Sequence, residues 1–530
     1  MNVRTCNQKS PEGLRARSGV VVSRRISVLY GNDPIVCDRR GALLALAAFG
    51  LAGPVHAALP VAAFSPLRVD ALARSLAARP YVAPAKVLPP SLARIGYDGY
   101  RRHRFDRGQA IWAGDPARFI AEPMMRGWLF KEKVELFTVA DGRAVPVAFD
   151  PTQFSFPAGT KAPSDPDTGF SGVRFLHPIN RGDVMDEIAV FQGASYFRAV
   201  GRGQLYGLSA RGLGIGTGGP KEEFPIFRAF WLEHPSPDAL RVHALLDGPS
   251  VTGAYHMIIR PGDETRFDVE ARLYPRVRIH TPGVAPMSSM FLFSGGGRRF
   301  DDFRPAVHDS DGLEIWTGRG ERLWRPLANP NSIQISVFDD DNPRGFGLMQ
   351  RARSFSDYQD MEARYEKRPS LWVEPVGNWG AGSVQLLEMP AHDETGDNIA
   401  AFWRPKAPWM PGREVRLAYR LRWGERSSAP NDVARVVATR TGLDIVGGKS
   451  SNRRRYAIDF EGTPALSTLQ DVHPVASASA GAMTPVRLEA LPGGRAVRAS
   501  FEFAPPPAGV AELRLALAGK SETWLSRWTA

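Results

Sequence analysis

Cysteine is almost missing from this chain of 530 residues, since Cys6 and Cys37 are its only two and both lie near the N-terminus. The remainder can therefore form no disulfide bond and offers no thiol nucleophile. The sequence also contains no apolar run of about 20 residues, the length that a membrane-spanning helix needs. We expect a globular protein that is not an integral membrane protein and does not depend on disulfides.

Several catalytic signatures are absent as well. We find no G-x-S-x-G, no H-E-x-x-H and no P-loop, which argues against serine-hydrolase, zincin and NTPase chemistry. The glycine-rich "SGGGRRF" precedes "DDFRP" rather than a helical pattern, so it does not predict a phosphate loop. In "DDDNPRG", Arg344 stands where a calcium ligand should be. We therefore expect neither a metal nor a cofactor.

A strong charge imbalance is missing too. The chain has 67 Lys and Arg against 55 Asp and Glu, and part of the excess lies in the first 57 residues. Lys and Arg are otherwise spread along the chain, with only short clusters such as "NRRRY" at 452–456. This composition argues against a nucleic-acid partner.

The N-terminus has the pattern of an export signal. Arg39 and Arg40 stand directly before the apolar run "GALLALAAFGLAG", and "PVHAAL" follows with a small residue at Ala57. Residues 1–57 are therefore predicted to be a signal peptide that is cleaved after Ala57. The paired arginines favour the twin-arginine pathway, which exports folded proteins.

Strand patterns dominate the rest of the chain. The 52 Gly and 44 Pro indicate many turns. One helix is predicted in "SPLRVDALARSLAARPY", with Ser65 as its cap, Pro66 in its first turn and Pro80 as its end. Elsewhere apolar residues alternate, as in "KVELFTVADGRAVPVAF", where Asp141-Gly142 predicts a hairpin turn. The segments "YHMIIRPGDETRFDVEARLYP" and "NSIQISVFDDDNPRGFGLMQ" repeat the order strand, turn, strand, so we expect an all-β fold.

The proline-rich stretch "RPKAPWMPG" suggests a domain boundary. We predict a large β-sandwich over residues 58–404, a linker over 405–412 and a smaller domain over 413–530. The short alternating runs of the last segment are typical of an immunoglobulin-like sandwich.

A region from about 291 to 403 is rich in carboxylates and aromatic rings. Such surfaces bind saccharides, because rings stack on C–H faces while carboxylates accept bonds from hydroxyl groups. Glycosidic cleavage needs two carboxyl groups, one protonated and one ionised. An unselected aspartate is nevertheless more often a solvated loop residue or the start of an Asx-turn. Composition alone leaves both readings open. The residues concerned are Asp309, Asp311, Tyr358, Tyr365, Trp372, Trp379, Asp393, Glu394, Asp397 and Trp403.

Many longer motifs carry a resemblance to a known family. They include "GASYFRAVGRGQLYGLSARGL", "KEEFP", "LLDGPSVTGAY", "DDFRPAVHDSDGL", "NPRGFGLMQR", "YEKRPSLWVEP", "WGAGSVQLLEMP", "DNIAAFW" and "YAIDFEG". In this order they resemble the periplasmic glucans biosynthesis proteins G and D (OpgG/OpgD, also MdoG/MdoD), from about residue 60 to the C-terminus. The twin-arginine leader is similar to that of the D branch.

The resemblance implies a fold and an activity. The fold is a galactose-mutarotase-like supersandwich joined to an immunoglobulin-like domain. The activity is that of a periplasmic, anomer-inverting endo-β-1,2-glucanase that acts on osmoregulated glucans. Carried over, the first Asp of "HDSD", Asp309, is the general base, and the Asp of "DNI", Asp397, is the general acid.

Further residues are expected around these two acids. Tyr365 and Arg368, in "YEKRP", match positions near the cleavage site, and Tyr365 could relay a proton. Asp397 must stay protonated, which needs burial or a negative neighbour such as Glu394. His308 and Asp311 could orient Asp309. Trp379 and Trp403 are the aromatic rings expected to contact the sugar.

Two other functions stay open from the sequence. The first is a non-catalytic protein that binds or escorts the β-glucan made by an inner-membrane glucosyltransferase. The second, resting on fold analogy alone, is a mutarotase-like isomerase. The loop at 443–453 is shorter than in many family members, where a longer loop covers the site, so the two aspartates alone do not guarantee the same reaction.

Overall fold

A computed structural model describes residues 62–156, 161–295, 300–446, 449–462, 469–494 and 496–529. The predicted leader, 1–57, lies outside these residues. Three α-helices are present in the described part, namely α1 Pro66–Ala77, α2 Pro90–Ala93 and α3 Tyr97–Arg101. Short 3₁₀ turns occupy Arg107–Gln109, Pro151–Gln153, Pro166–Thr168, Phe355–Asp357, Tyr365–Lys367 and Leu469–Asp471.

Strands make up most of the remaining described structure, as the all-β prediction requires. In the first half they are β1 Ala62–Ala63, β2 Arg104–Phe105, β3 Ile120–Met125, β4 Glu135–Ala140, β5 Arg143–Pro146, β6 Phe154–Ser155, β7 Phe170–His177, β8 Asp186–Gln192, β9 Tyr196–Ala199, β10 Ser209–Arg211, β11 Leu213–Ile215, β12 Ile226–Glu233, β13 Leu240–Asp247, β14 Val251–Arg260, β15 Thr265–Pro275, β16 Pro282–Ser289 and β17 Phe291–Phe293. In the second half they are β18 Val307–His308, β19 Gly312–Trp316, β20 Arg322–Pro326, β21 Gln334–Asp341, β22 Gly345–Met349, β23 Ser370–Val376, β24 Ala381–Glu388, β25 Ile399–Pro405, β26 Val415–Gly424, β27 Arg435–Val446, β28 Lys449–Glu461, β29 Pro474–Ala478, β30 Ala482–Met483, β31 Arg487–Ala490, β32 Ala496–Ala504, β33 Val510–Leu517 and β34 Thr523–Thr529.

Two large sheets organise the described strands. The larger has 15 strands in the order β1-β5-β4-β12-β13-β14-β15-β26-β23-β22-β19-β20-β34-β33-β29. The smaller has 10 strands in the order β21-β24-β25-β16-β10-β9-β8-β7-β3, with β11 also paired to β16. Most neighbouring strands are antiparallel, while β4–β12 and β20–β34 are parallel.

The main core lies between these two sheets. Phe191 and Phe197 of the smaller sheet stack at 5.0 Å, Phe197 stacks on Phe267 of the larger sheet at 5.6 Å, and Phe267 contacts Trp423 at 5.0 Å. These rings are buried within one continuous apolar cluster. The alternation seen in the sequence therefore directs one face of each sheet inward, which is the β-sandwich that the sequence predicts.

The predicted helix is confirmed as α1, with Pro66 in its first turn. Val69 and Ala73 pack on the outer face of the larger sheet against Trp231 and Tyr274. Ser65 occupies the N-cap position, but its side chain makes no capping hydrogen bond.

The hairpin at Asp141-Gly142 is also confirmed. Both turn residues have positive φ, 49° and 67°, as a type I′ turn requires. The two strands predicted in "NSIQISVFDDDNPRGFGLMQ" are present, but they do not pair with each other. Strand β21 pairs with β24 in the smaller sheet, whereas β22 pairs with β19 and β23 in the larger one.

The C-terminal unit begins later than the sequence predicts. Strand β26 follows the proline-rich stretch, yet it pairs with β15 and β23 in the middle of the larger sheet. Its Tyr419, Leu421 and Trp423 belong to the main core. The prolines of 405–412 therefore end a strand of one sheet before the chain enters the other, and the unit boundary lies after Gly424.

The last part of the chain forms a second, smaller sandwich. A five-stranded sheet of β27, β28, β32, β30 and β31 packs around a core that it shares with β33 and β34. Tyr456, Phe501 and Trp524 are in ring contact inside it. Trp324, Met349 and Trp372 of the larger unit complete this core, so the two units share buried surface.

The short loop noted at 443–453 is the end of the β27–β28 hairpin, with residues 447–448 outside the described part. Among the residues described, we find no helix with the length and apolarity that crossing a bilayer requires.

Candidate active site

Three chain segments lie side by side where β16 ends and β25 begins, within the middle of the smaller sheet. The central one joins β16 to β17 through Met290. On one side, Ser289 is paired with Ile399 of β25. On the other, Phe291 is paired with His308 of β18. Asp309 directly follows β18, and its amide donates to the Met290 carbonyl at 2.8 Å. The two aspartates singled out by the sequence therefore flank one segment.

Asn398 holds Asp397, its neighbour in the chain, in this arrangement. The buried Asn398 side chain accepts from the Phe291 amide at 2.8 Å and donates to the carbonyls of Phe291 and Met389 at 2.9 and 3.0 Å. Its amide also donates to the Ser289 carbonyl at 3.1 Å. Since strands are spaced about 4.8 Å apart, the backbones of Asp309 and Asp397 are separated by roughly two spacings, or about 10 Å.

Asp309 is the buried member of the pair, with 4% of its surface exposed. Its carboxylate accepts a hydrogen bond from the Arg368 guanidinium. Burial raises the pKa of Asp309 above its ordinary value, Arg368 opposes that shift, and the charge of Asp397 adds to it. The last contribution means that the two carboxyl groups act on one another electrostatically.

Asp397 is exposed at the surface of the site. Tyr196 of β9 lies near it: burial raises the pKa of this phenol, Arg211 opposes the shift, and Asp397 adds to it. The Arg211 guanidinium lies 4.4 Å from the Tyr196 ring centroid and 4.9 Å from that of Phe224. An aromatic ring with an arginine on its face therefore lies near the exposed acid.

Tyr365 and Glu394 form a second polar group beside Asp309. The Tyr365 hydroxyl donates to Glu394 Oε2 at 2.9 Å, and the Arg368 guanidinium lies 4.2 Å from the Tyr365 ring centroid. Arg304 pairs with Glu394 at 2.7 Å and also with Asp302 and Asp360. This pairing compensates the charge of Glu394, so that residue is poorly suited to keep Asp397 protonated.

Asp397 is thus neither buried nor next to an unpaired negative charge. A general acid is expected to have one of these features. Burial raises the pKa of Asp309, the other carboxyl group of the pair.

His308 and Asp311 are structural residues rather than residues lining an open site. His308 is buried, stacks on Phe291 and contacts Tyr358 edge-on, and burial lowers its pKa to about 3. Asp311 Oδ2 accepts from the amides of Arg351 and Ala352 at 3.0 and 3.1 Å. The side chains of His308 and Asp311 therefore both face the protein interior.

The two tryptophans predicted to contact sugar lie in the main core instead. Trp403 is fully buried, and its ring centroid is 6.3 Å from that of the half-buried Trp379. Trp379 also donates from Nε1 to the Ala418 carbonyl at 3.2 Å. Tyr358 and Trp372 are likewise fully buried. Aromatic richness in this region reflects the interior of the sandwich.

The sequence analysis missed several neighbours of the acids, namely Tyr196, Arg211, Arg304 and Asn398. Each lies within a motif that carries the family resemblance, so the signal was present but was not assigned to the site. Among the described residues, no group of three or more His, Cys, Asp or Glu side chains is placed to hold a metal ion.

Comparison with known proteins identifies the family of this chain. A family model described as "Periplasmic glucan biosynthesis protein, MdoG" matches residues 64–529. The "Glucans biosynthesis protein G" of Vibrio cholerae serotype O1 (strain ATCC 39541) is 49% identical over 470 residues, which cover 86% of this chain and 85% of the relative. The protein of the same name from Rhodopseudomonas palustris (strain BisA53) is 48% identical over 507 residues, covering 93% and 100%. "Glucans biosynthesis protein G 1" of Shewanella oneidensis is 46% identical over 471 residues, covering 86% of each chain. With a strand sandwich throughout and a match over nearly all of its described length, the chain belongs to the MdoG family of periplasmic glucan biosynthesis proteins.

Proposed function

We propose that the protein is an exported endo-β-1,2-glucanase of inverting type, which shortens the backbone of a periplasmic glucan. Asp309 is the general base that activates water, and Asp397 is the general acid that protonates the leaving oxygen. The supporting observation is the placement of Asp309 and Asp397 on either side of the Met290 segment, close enough for Asp397 to raise the pKa of Asp309.

The separation of the two acids suits an inverting reaction. Inverting glycosidases keep their carboxyl groups about 6.5–9.5 Å apart, which leaves room for a water molecule on the far side of the sugar. The backbone spacing of about 10 Å estimated from the strand pairing leaves room for two carboxyl groups at that distance. A retaining enzyme would need the carboxyl groups about 5–5.5 Å apart.

The environment of each acid supports a division of roles. Arg368 stabilises the ionised form of Asp309, as a base requires. Asp397 lies on the exposed side, where a bound saccharide can reach it and exclude water from it. Tyr365, Arg368 and Glu394 form the wall of the subsite beside the base, with the Tyr365 hydroxyl in position to pass a proton.

Export and partnership complete the proposal. The leader at 1–57 directs the chain to the periplasm by the twin-arginine pathway, a feature similar to the D branch of the family. In the periplasm the enzyme acts on β-glucan delivered by an inner-membrane glucosyltransferase.

The decisive experiment incubates the mature protein with linear β-1,2-glucan and measures the reducing ends that appear. Asp309→Asn and Asp397→Asn should each abolish the release without lowering Tm. An aryl β-glucoside chain with an acidic leaving group needs no protonation, so Asp397→Asn should regain activity on it while Asp309→Asn should not. Proton nuclear magnetic resonance of the first product should show the α-anomer.

The competing function gives a different result in the same assay. If wild-type protein releases no reducing ends from any β-glucan tested, the hydrolase proposal is wrong. Calorimetry that then shows glucan binding without turnover would identify a binding or escort protein.

A further inference from the structure

A depression lies at the β3 edge of the smaller sheet, away from the candidate active site. Its volume is about 390 Å³, and its lining includes Arg107, Trp112, Asp115, Arg118, Ile120 and Met185. We call it the Trp112 groove. Ile120 begins β3, which ends the smaller sheet, five strands from β16. At about 4.8 Å per strand, the groove is about 24 Å from the Met290 segment.

Trp112 adopts an unusual backbone conformation. Its φ is 65°, in the left-handed region that bulky residues seldom occupy. Gly114 and Arg118 in the same loop also have positive φ, 80° and 58°. Such conformations persist where the surrounding structure holds them, and they concentrate at ligand clamps.

The Trp112 ring is supported from behind. It packs against the main core and is half-buried. The His234 ring lies edge-on to it, with centroids 6.4 Å apart. The other side of the indole borders the groove, so the ring is held as a rigid apolar platform.

Polar groups held in fixed positions line the rest of the groove. Asp115 Oδ1 accepts from the Ala117 amide at 2.8 Å, and its Oδ2 lies 2.7 Å from His234 Nε2. Arg107 donates from Nε to the buried Glu122 at 3.0 Å. A guanidinium has five N–H donors, so this bond leaves Arg107 with capacity for a ligand.

The balance of charge selects the class of ligand. Glu122 is shared between Arg107 and Arg174, and Arg174 also pairs with Glu187. With Arg118 and Asp115 included, three arginines stand against three carboxylates, so the groove has no excess of positive charge that would favour a phosphate. An apolar platform with alternating donors and acceptors matches a neutral sugar, whose ring has C–H faces and a rim of hydroxyl groups. The volume lies within the usual range for small-molecule sites, about 300–1,000 Å³.

We propose that the Trp112 groove is a non-catalytic binding site for a neutral pyranose unit of a glucan chain. The chain would be held there while another part of it reaches the catalytic segment. The choice of glucan as the sugar rests on the proposed function, whereas the site itself rests on the groove.

The test uses the full-length mature protein with the Asp397→Asn substitution, so that the probe is not cut, and titrates it with linear β-1,2-glucan by calorimetry. Trp112→Asn should lower the affinity about tenfold, as loss of a central aromatic contact does. Asparagine tolerates left-handed φ, so the loop should keep its backbone conformation, and Tm should fall only by the lost packing of a half-buried ring. Trp128→Asn is the matched control, because Trp128 also has positive φ, 52°, and does not line the groove.

Other readouts separate the possible outcomes. Asp115→Asn, which keeps the shape and removes the charge, should also weaken binding even if Trp112→Asn proves unstable. In the catalytically intact background, Trp112→Asn should raise KM for long glucans and leave kcat on short oligosaccharides unchanged. Equal affinity of Trp112→Asn and the control, or displacement of the glucan by inorganic phosphate, would overturn the proposal. Absence of hydrolysis by the wild type would reject the proposed catalytic function, but the affinities measured for the groove variants would still stand.

Discussion

At the scale of single residues, the proposed base Asp309 depends on Arg368 for its ionised form. Asp309 is buried, and burial alone favours its neutral form. The guanidinium of Arg368 contacts its carboxylate and stabilises the ionised form. The acidic limb of the pH profile of kcat/KM should therefore depend on this cation, because a general base works only when it has lost its proton.

Replacing Arg368 by Met should move that limb upward. Without the cation the pKa of Asp309 rises further, so a higher pH is needed to ionise it, and the limb of kcat/KM should shift by about one pH unit or more. Arg364→Met is the control, since Arg364 lies in the same stretch but pairs with Glu366. An unchanged limb in Arg368→Met would mean that Asp309 is not the group that titrates.

His308 links the site to stability rather than to substrate. Its pKa in the fold is about 3, against about 6.5 in an unfolded chain. Between these values the unfolded chain binds more protons, so stability is full above about pH 6.5 and falls as the pH drops towards 3. The Nδ1 atom of His308 is also buried without a hydrogen-bond partner among the described residues.

His308→Phe should remove this part of the acid sensitivity. Phenylalanine keeps the stacking on Phe291, and wild type should lose about 1.4 kcal/mol more per pH unit than the variant below about pH 6.5. Denaturant titrations near neutral pH and about two units lower measure the difference. His473→Phe, at an exposed position, should retain the wild-type slope. Equal slopes for His308→Phe and wild type would contradict the burial of a neutral imidazole.

At the scale of elements, local features could be predicted and long-range ones could not. The Asp141-Gly142 turn and helix α1 follow from neighbouring residues alone, so sequence patterns identified them. The pairing of β26 with β15 depends on residues far apart in the chain. The prolines just before β26 indicated a domain boundary, so this pairing was not predicted. Asp309 and Asp397 were found through the family motifs, whereas Trp379 and Trp403 were misassigned because composition does not distinguish a core ring from an exposed one.

The hydrogen bonds of Asn398 hold together the segments that carry Asp309 and Asp397. Asn398→Ala would leave the buried backbone groups of Phe291 and Met389 without partners, at a cost of about 3 kcal/mol. The displaced Asp397 should lower kcat roughly 10- to 100-fold. Thermal unfolding and glucan hydrolysis measure the two effects.

A matched control for Asn398→Ala is Asn180→Ala. Asn180 also accepts from a backbone amide, that of Gly203 at 2.7 Å, but in an exposed loop. Asn180→Ala should change neither the Tm nor the rate of glucan hydrolysis appreciably. Full activity in Asn398→Ala would show that Asp397 does not need this support.

At the scale of the whole molecule, a buried ionic network joins the two units. Arg351 pairs with Glu314 of the larger unit at 2.7 Å and with Glu522 of the smaller unit at 2.7 Å. Its guanidinium also lies 3.5 Å from the ring centroid of Trp324. All three charged side chains are almost completely buried. The two units should therefore unfold together.

Arg351→Met should destabilise both units at once. It leaves the two buried carboxylates with only the more distant Arg435, at 3.8 and 4.0 Å, as their cation. Loss of the closer partner costs about 3–5 kcal/mol, and calorimetry should show one transition at lower temperature. Adding Glu522→Gln should restore part of the loss, because a single cation then faces a single buried carboxylate. Two well-separated transitions in the wild type would contradict this coupling.

The parallel pairing of β20 with β34 has a consequence for how the polypeptide matures. Strand β20 receives this neighbour only after almost two hundred further residues have been synthesised. A nascent chain on the ribosome thus cannot close its larger sheet until β34 has been synthesised, and contacts so distant in sequence form slowly. Until then β20 has an unpaired edge, which is the kind of surface that associates with other chains.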